Sequence, residues 1–288
     1  MTRENLKNWA KQALNRHYWK SVLVALILTF TAGSSSSSGG GSGSDSGDAG
    51  FSRMSEEEII MFLGVMAVIL VIALGMWVVA MLLKAFLLNP LHVGCQAFFC
   101  DGLESTESSL GLLGYGFKNN YKNVAKTMFF KDLYLWLWSL LVWIPVAIFI
   151  GGVIVVEMLG DSVLSTVLMV IFVIVFVVGL IFAMIPSIMK SYEYLLVPYI
   201  LVDNPDMDSK EVFALTKSIM TGHKWEAFVL YLSFIGWNLL SLLTCGILSI
   251  FYVQPYMSYT IAAYYKVLRR QNQPVEIVNN SYDDMWNS

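Results

Sequence analysis

The run from Ile59 to Leu88 holds a single charged residue, Lys84, near its far end. About 20 apolar residues at 1.5 Å each cross the hydrocarbon core of a bilayer, so this run spans one with length to spare. It must tilt or protrude, with the lysine snorkelling to the surface. Inside lipid every backbone N–H and C=O needs a partner from its own segment, which makes each such run a helix. This run supplies a span at about 59–84, and others are expected at about 18–33, 127–150, 162–186, 225–244 and 247–266. A chain that is 57% hydrophobic and 14% charged, with a mean hydropathy of +0.63, belongs to the membrane class. The expected fold is all-α and polytopic, with six transmembrane helices in three hairpins joined by cytoplasmic amphipathic helices. Residues 1–270 are expected to form a single membrane domain and 271–288 a disordered cytoplasmic tail.

The segments between the runs have patterns of their own. Residues 2–17 place Leu6, Trp9, Ala10, Ala13, Leu14 and His17 on one helical face and Arg3, Lys7, Lys11 and Arg16 elsewhere. Such a helix is expected to lie on an anionic membrane surface with Trp9 at the boundary. Tyr18–Ala32 is short for a span and close in length to a signal-peptide core, but a long basic stretch precedes it and no small-x-small cleavage site follows. Residues 33–50 are almost wholly Gly, Ser and Asp, a composition that cannot bury enough apolar area to offset its own ordering, and so read as a flexible loop. The stretch 89–125 opens on the helix breaker Pro90 and mixes polar with glycine-rich parts, which predicts an irregular, partly interfacial cytoplasmic segment. Asp208 with Glu211 three residues on, and Gly222 at the end, bracket a capped surface helix whose face is Val212, Leu215 and Ile219.

Lys and Arg favour the cytoplasmic side of a bacterial membrane. With the N-terminus inside, all of the 18 Lys and Arg residues except Arg53 fall on that side, and both termini are cytoplasmic. Omitting the short first span would strand the N-terminal cations outside. A net charge of -3 offers no electrostatic footprint for nucleic acid. The partners expected are the lipid bilayer itself and a membrane-protein partner or a second copy of the chain. Three cysteines beside apolar runs, with no extracellular framework, read as reduced thiols.

Polar residues within spans are costly in hydrocarbon and are the first functional candidates. The set here is Gly236, Trp237, Asn238, Ser241 and Thr244 on the fifth run and Gln254 on the sixth, read either as a ligand path or as helix-packing contacts. His92, Cys95 and Cys100 lie close together but fall short of the three or four convergent ligands that zinc requires, so no metal is expected. The stretch GLLGYGF resembles a phosphate loop only loosely, since no strand precedes it and no Gly-Lys followed by Ser or Thr is present. No Gly-x-Ser-x-Gly, His-Glu-x-x-His or in-span carboxylate pair appears, so neither catalysis nor a cofactor is expected. RHYWKSVLVAL from Arg16 parallels GHKWEAFVLYL from Gly222, matching His17 with His223 and Trp19 with Trp225, which suggests three related hairpins.

A family resemblance rests on Ser218, Met220, Gly222, Lys224, Phe228, Leu232, Ser233, Phe234, Ile235, Gly236, Trp237, Leu240, Thr244, Gly246, Ile247, Pro255, Tyr256, Thr260, Ala263 and Tyr265. Leu137, Trp138, Leu141, Ile144 and Pro145, and Tyr18, Trp19 and Lys20 with the pattern before them, extend it over nearly the whole chain. Together they resemble the domain-of-unknown-function 975 family of bacterial integral membrane proteins, although Val146 stands where that family usually has Gly. The resemblance implies a fold and a location in the bacterial cytoplasmic membrane, and no reaction or ligand. Three functional readings stay open. The first is a non-enzymatic binding or transport-related protein for a lipid, peptide or small amphiphile, which requires a cavity reaching Asn238 or Gln254. The second is an accessory subunit of a membrane complex or an envelope-stress factor, and the third an intramembrane enzyme.

Overall fold

The structure is a computed structural model that describes residues 3–32, 56–158, 160 and 163–272. The Gly/Ser loop expected at 33–50, Arg53, and the tail from 273 lie outside the described residues. Every regular element among the described residues is helical. Helices α1 (Arg3–Arg16) and α2 (Tyr18–Ala32) are followed by α3 (Glu56–Leu83), which runs through a π turn at Lys84–Leu88 into α4 (Asn89–Glu104). A 3-10 turn (Leu110–Gly114) and α5 (Tyr115–Lys118) lead to α6 (Tyr121–Ser139) and, through Leu140–Val142, to α7 (Trp143–Met158). Then come α8 (Val163–Glu193), α9 (Val197–Asp203), α10 (Ser209–Met220), α11 (Lys224–Leu232) and α12 (Ile235–Leu243), and a second π turn (Ser249–Val253) opens α13 (Gln254–Gln271).

Among the described residues four helical stretches are long and apolar enough to cross a membrane: Ile60–Glu104, Tyr121–Met158, Val163–Asp203 and Lys224–Leu243. The first and sixth expected spans do not meet that measure, for different reasons. α2 is only 15 residues long, and its Val22, Val24, Ala25 and Leu28 are buried in protein. α13 carries tyrosines, serine and threonine on surfaces that neighbouring helices cover, so its solvent is protein rather than hydrocarbon. The opposite extreme is α3, whose described side chains from Ile60 to Leu83 are exposed on every side. A helix apolar all round, with no polar stripe, is suited to lipid on all its faces.

The core is built on α4 and α13. α4 buries most of its side chains, including Phe98 and Phe99, although its stretch of sequence suggested an irregular interfacial segment. The two prolines that should have broken helices there are accommodated in the same way. A proline ring clashes with the carbonyl four residues back and supplies no N–H to it. At Pro90 that carbonyl is Phe86, inside the π turn, and Tyr121 Oη donates to it instead at 2.8 Å. Pro255 likewise sits directly after the π turn Ser249–Val253. The wider π turn moves the ring away from the preceding backbone, so the helix continues.

Two glycines decide how the glycine-rich stretch after α4 lies on it. A Cβ at Gly94 would stand 2.1 Å from the Leu113 carbonyl oxygen, and one at Gly116 would stand 2.2 Å from that of Pro90. These close backbone approaches account for part of the glycine content of GLLGYGF. Gly102 similarly admits Tyr259, whose ring meets Phe99 edge-on at 5.0 Å and whose hydroxyl pairs with Ser21 Oγ at 3.0 Å. α1 turns Leu6, Ala10, Ala13 and Leu14 into this core against α13, and Trp9 Nε1 donates to the Leu103 carbonyl at 3.2 Å. Its apolar face thus meets protein, in place of the membrane surface its charge pattern suggested. α10 starts as its sequence indicates, with the Asp208 carboxylate accepting from the Lys210 N–H at 3.3 Å.

Candidate functional site

The sequence-derived candidates divide sharply once placed. Asn238 and Trp237 are exposed on α12, with Trp237 tilted against Tyr252 at 5.3 Å between ring centres. Open space surrounds the position a Cβ would take at Gly236, so close packing does not require that glycine. Ser241 is buried, and its carbonyl accepts from Gly246 N–H at 2.8 Å and from Thr244 Oγ1 at 3.0 Å, which closes the turn after α12. These residues do not gather around one cavity. Gln254 stands apart from them, in the wall of a partly open cavity of about 280 Å³.

That cavity lies where α4, α6, α8, α9, α11 and α13 meet. Its polar lining includes His92 and Gln96 from α4, Lys131 from α6, Tyr194 and Tyr199 from the end of the α8–α9 stretch, Tyr231 from α11, and Gln254 and Ser258 from α13. His92 and Gln96 are four residues apart and so share one face of α4. The Gln96 amide nitrogen reaches His92 Nε2 at 3.4 Å, while its carbonyl oxygen is buried with no hydrogen-bond partner. Turning the amide over would only exchange which of its two polar atoms lacks one. A buried amide atom left unpaired costs about 1–3 kcal/mol, and a ligand or water in the cavity would recover that loss.

Charge is concentrated around this site. The Lys131 ammonium stands 3.6 Å from Asp132, which faces Lys84 at 3.5 Å on its other side, giving two cations to one carboxylate. At the end of α8 Glu193 is buried between Lys190, at 2.9 Å, and Lys224 of α11. Lys190 also lies over the Trp138 ring at 5.5 Å, which holds it in place. Lys131 itself lines the cavity, so the cavity favours an anionic group. The chemistry on offer is recognition by hydrogen bonds and charge. Among the described residues no group of three His, Cys, Asp or Glu could hold a metal ion, and Cys95 and Cys100 are free and buried.

Sequence reading missed Lys131, Gln96 and the tyrosines. Lys131 follows directly after an apolar pair and so looks like a boundary lysine. Gln96 lies on a helix that was not recognised as part of the core. A cation and an amide flanked by aromatic residues are the signal that could have found them.

The fold defines the class: among the described residues every regular element is helical, and four helices are long and apolar enough to cross a membrane. Within that class the chain belongs to the family described as Protein of unknown function (DUF975), whose model matches residues 1–272. No curated protein and no solved structure matches the chain.

Proposed function

We propose that this protein is a non-enzymatic binding or transport-related protein of the bacterial cytoplasmic membrane, which holds a small amphiphile with an anionic end in the cavity at Gln254. It crosses the membrane six times in three hairpins, with both termini in the cytoplasm. The cation distribution supports the orientation. The order of elements supports the three hairpins. Helices α4, α9 and α13, one in each expected hairpin segment, open on X-Pro: Asn89-Pro90, Val197-Pro198 and Gln254-Pro255.

The observation that carries the functional reading is the cavity itself. It reaches Gln254, it contains an amide that the protein leaves partly unpaired, and Lys131 supplies a positive charge in its wall. Its test is native mass spectrometry of the full chain extracted with its surrounding lipid in detergent-free discs. The wild-type protein should carry a small molecule enriched over bulk lipid, and Lys131→Met and Gln254→Leu should each reduce it. An identical complement of bound molecules in all three proteins would refute the reading.

A further inference from the structure

A second cavity, of about 470 Å³, lies outside the site just described, between the inner end of α3 and the middle of α6. Its walls are apolar over most of their length, formed by Trp77, Met81, Leu88, Phe129, Leu133 and Trp136, and one end is polar, formed by Lys84, Asn89 and Asp132. The π turn makes that end. In an α-helix residues five apart differ by about 140° around the axis, so Lys84 and Asn89 would point apart. Here the Asn89 N–H bonds to the Lys84 carbonyl, five residues back, and both side chains reach the same cleft. Such single π turns are frequent at functional sites.

Two polar atoms at this end lack partners. Asn89 is 3% exposed, and its side-chain nitrogen has no acceptor. Asp132 Oδ2 is buried and receives no hydrogen bond, although the Lys84 ammonium stands 3.5 Å from it as an ion pair. Both atoms are closed to water in this conformation, so an occupant reaches them as the side chains turn into the cleft, and it would then offer an acceptor to Asn89 and a donor to Asp132. Lys84 and Lys131 against Asp132 leave one positive charge, and since Lys131 lines the other cavity it is Lys84 that faces this cleft.

We propose that this cleft binds a single glycerophospholipid whose head group carries one negative charge and a free hydroxyl. The phosphate accepts from Asn89 and faces Lys84, the hydroxyl donates to Asp132, and an acyl chain lies along the apolar walls between Trp77 and Trp136. Zwitterionic lipids fail on charge, because they bring no net negative charge to the surplus cation. Lipid head groups held in basic pockets between transmembrane helices use the same chemistry.

The test is native mass spectrometry of the full chain after delipidation and titration with dioleoyl phosphatidylglycerol, phosphatidylcholine or phosphatidylethanolamine. One phosphatidylglycerol should be retained about tenfold more strongly than either of the others, the factor expected for a charge-assisted contact. Asn89→Ala and Lys84→Met should each remove that preference, whereas Gln254→Leu, in the other cavity, should leave it intact. Met81→Trp, which fills the apolar wall without altering the polar end, should lower retention of the same lipid and covers the case in which a polar-end variant does not fold. Equal retention of all three lipids, or retention unchanged in Asn89→Ala, would overturn the proposal. Loss of the preference in Gln254→Leu alone would also overturn it, by locating the lipid in the central cavity.

Discussion

Replacing Gly94 with alanine adds one carbon at the point where α4 meets the chain at Leu113. That carbon would stand 2.1 Å from a backbone oxygen, against an ordinary contact of 3.4 Å or more. The obstacle is main chain, so no side-chain rotation relieves it and the segment from Leu110 to Gly114 must move by more than an ångström. Overpacking of this kind costs about 1–3 kcal/mol. Alanine in a helix interior recovers about 1 kcal/mol of propensity. With a backbone obstacle the strain lies at the upper end of its range, so the net loss is about 2 kcal/mol, or about 5 °C in the unfolding midpoint. Cys95 and Cys100 are buried and free, which suits them to report unfolding through a thiol-reactive fluorophore. Cys245 is exposed at φ 51°, a left-handed position that asparagine tolerates, so Cys245→Asn is the background for the measurement. Gly75→Ala on α3 is the internal comparison, because nothing lies within 4 Å of its added carbon. Its midpoint should stay level or rise. A Gly94→Ala protein as stable as the Gly75→Ala protein would refute the close approach of the 110–114 segment to α4.

Three other outcomes are expected. Glu193→Gln leaves Lys190 and Lys224 without their carboxylate and should cost about 2 kcal/mol, less than the ~3–5 of a fully buried pair because both lysines keep some contact with solvent; the same fluorophore assay measures it. Asp208 accepts from the Lys210 N–H and faces Lys126 at 3.6 Å, which together hold its carboxyl below the usual 3.8. A depressed folded pKa contributes stability that is fully present above the unfolded value and lost as pH falls through the folded one, so Asp208→Asn, which still caps, should flatten the acid limb of a midpoint-versus-pH curve below about pH 4. A membrane-impermeant maleimide added to intact cells should label Cys245 and spare Cys95 and Cys100; labelling of Cys245 only after permeabilisation would reverse the proposed orientation.

The apolar runs determined the helical class by themselves, because hydrocarbon leaves a backbone no other open-chain arrangement. The cap at Asp208 was equally legible, since an N-cap depends on residues within one turn of the chain. Tertiary structure decided which runs are covered by protein and which are left exposed. The described side chains of α3 from Ile60 to Leu83 are left exposed, whereas α13 is walled in by helices from the rest of the chain. Hydropathy records the character of a side chain and not the identity of its neighbours, so it does not show that the short apolar α2 and the tyrosine-rich α13 are covered by protein. For the same reason α4 looked like a broken interfacial loop, since Pro90 ends a helix unless a π turn and a hydroxyl from Tyr121, 35 residues from the carbonyl it satisfies, take up the freed group. Of the polar candidates, Gln254 alone reaches the central cavity, in company with Lys131, Gln96 and Tyr231 from three other helices. Their convergence is set by long-range packing around Tyr259 and Phe99, and no spacing along the chain encodes it.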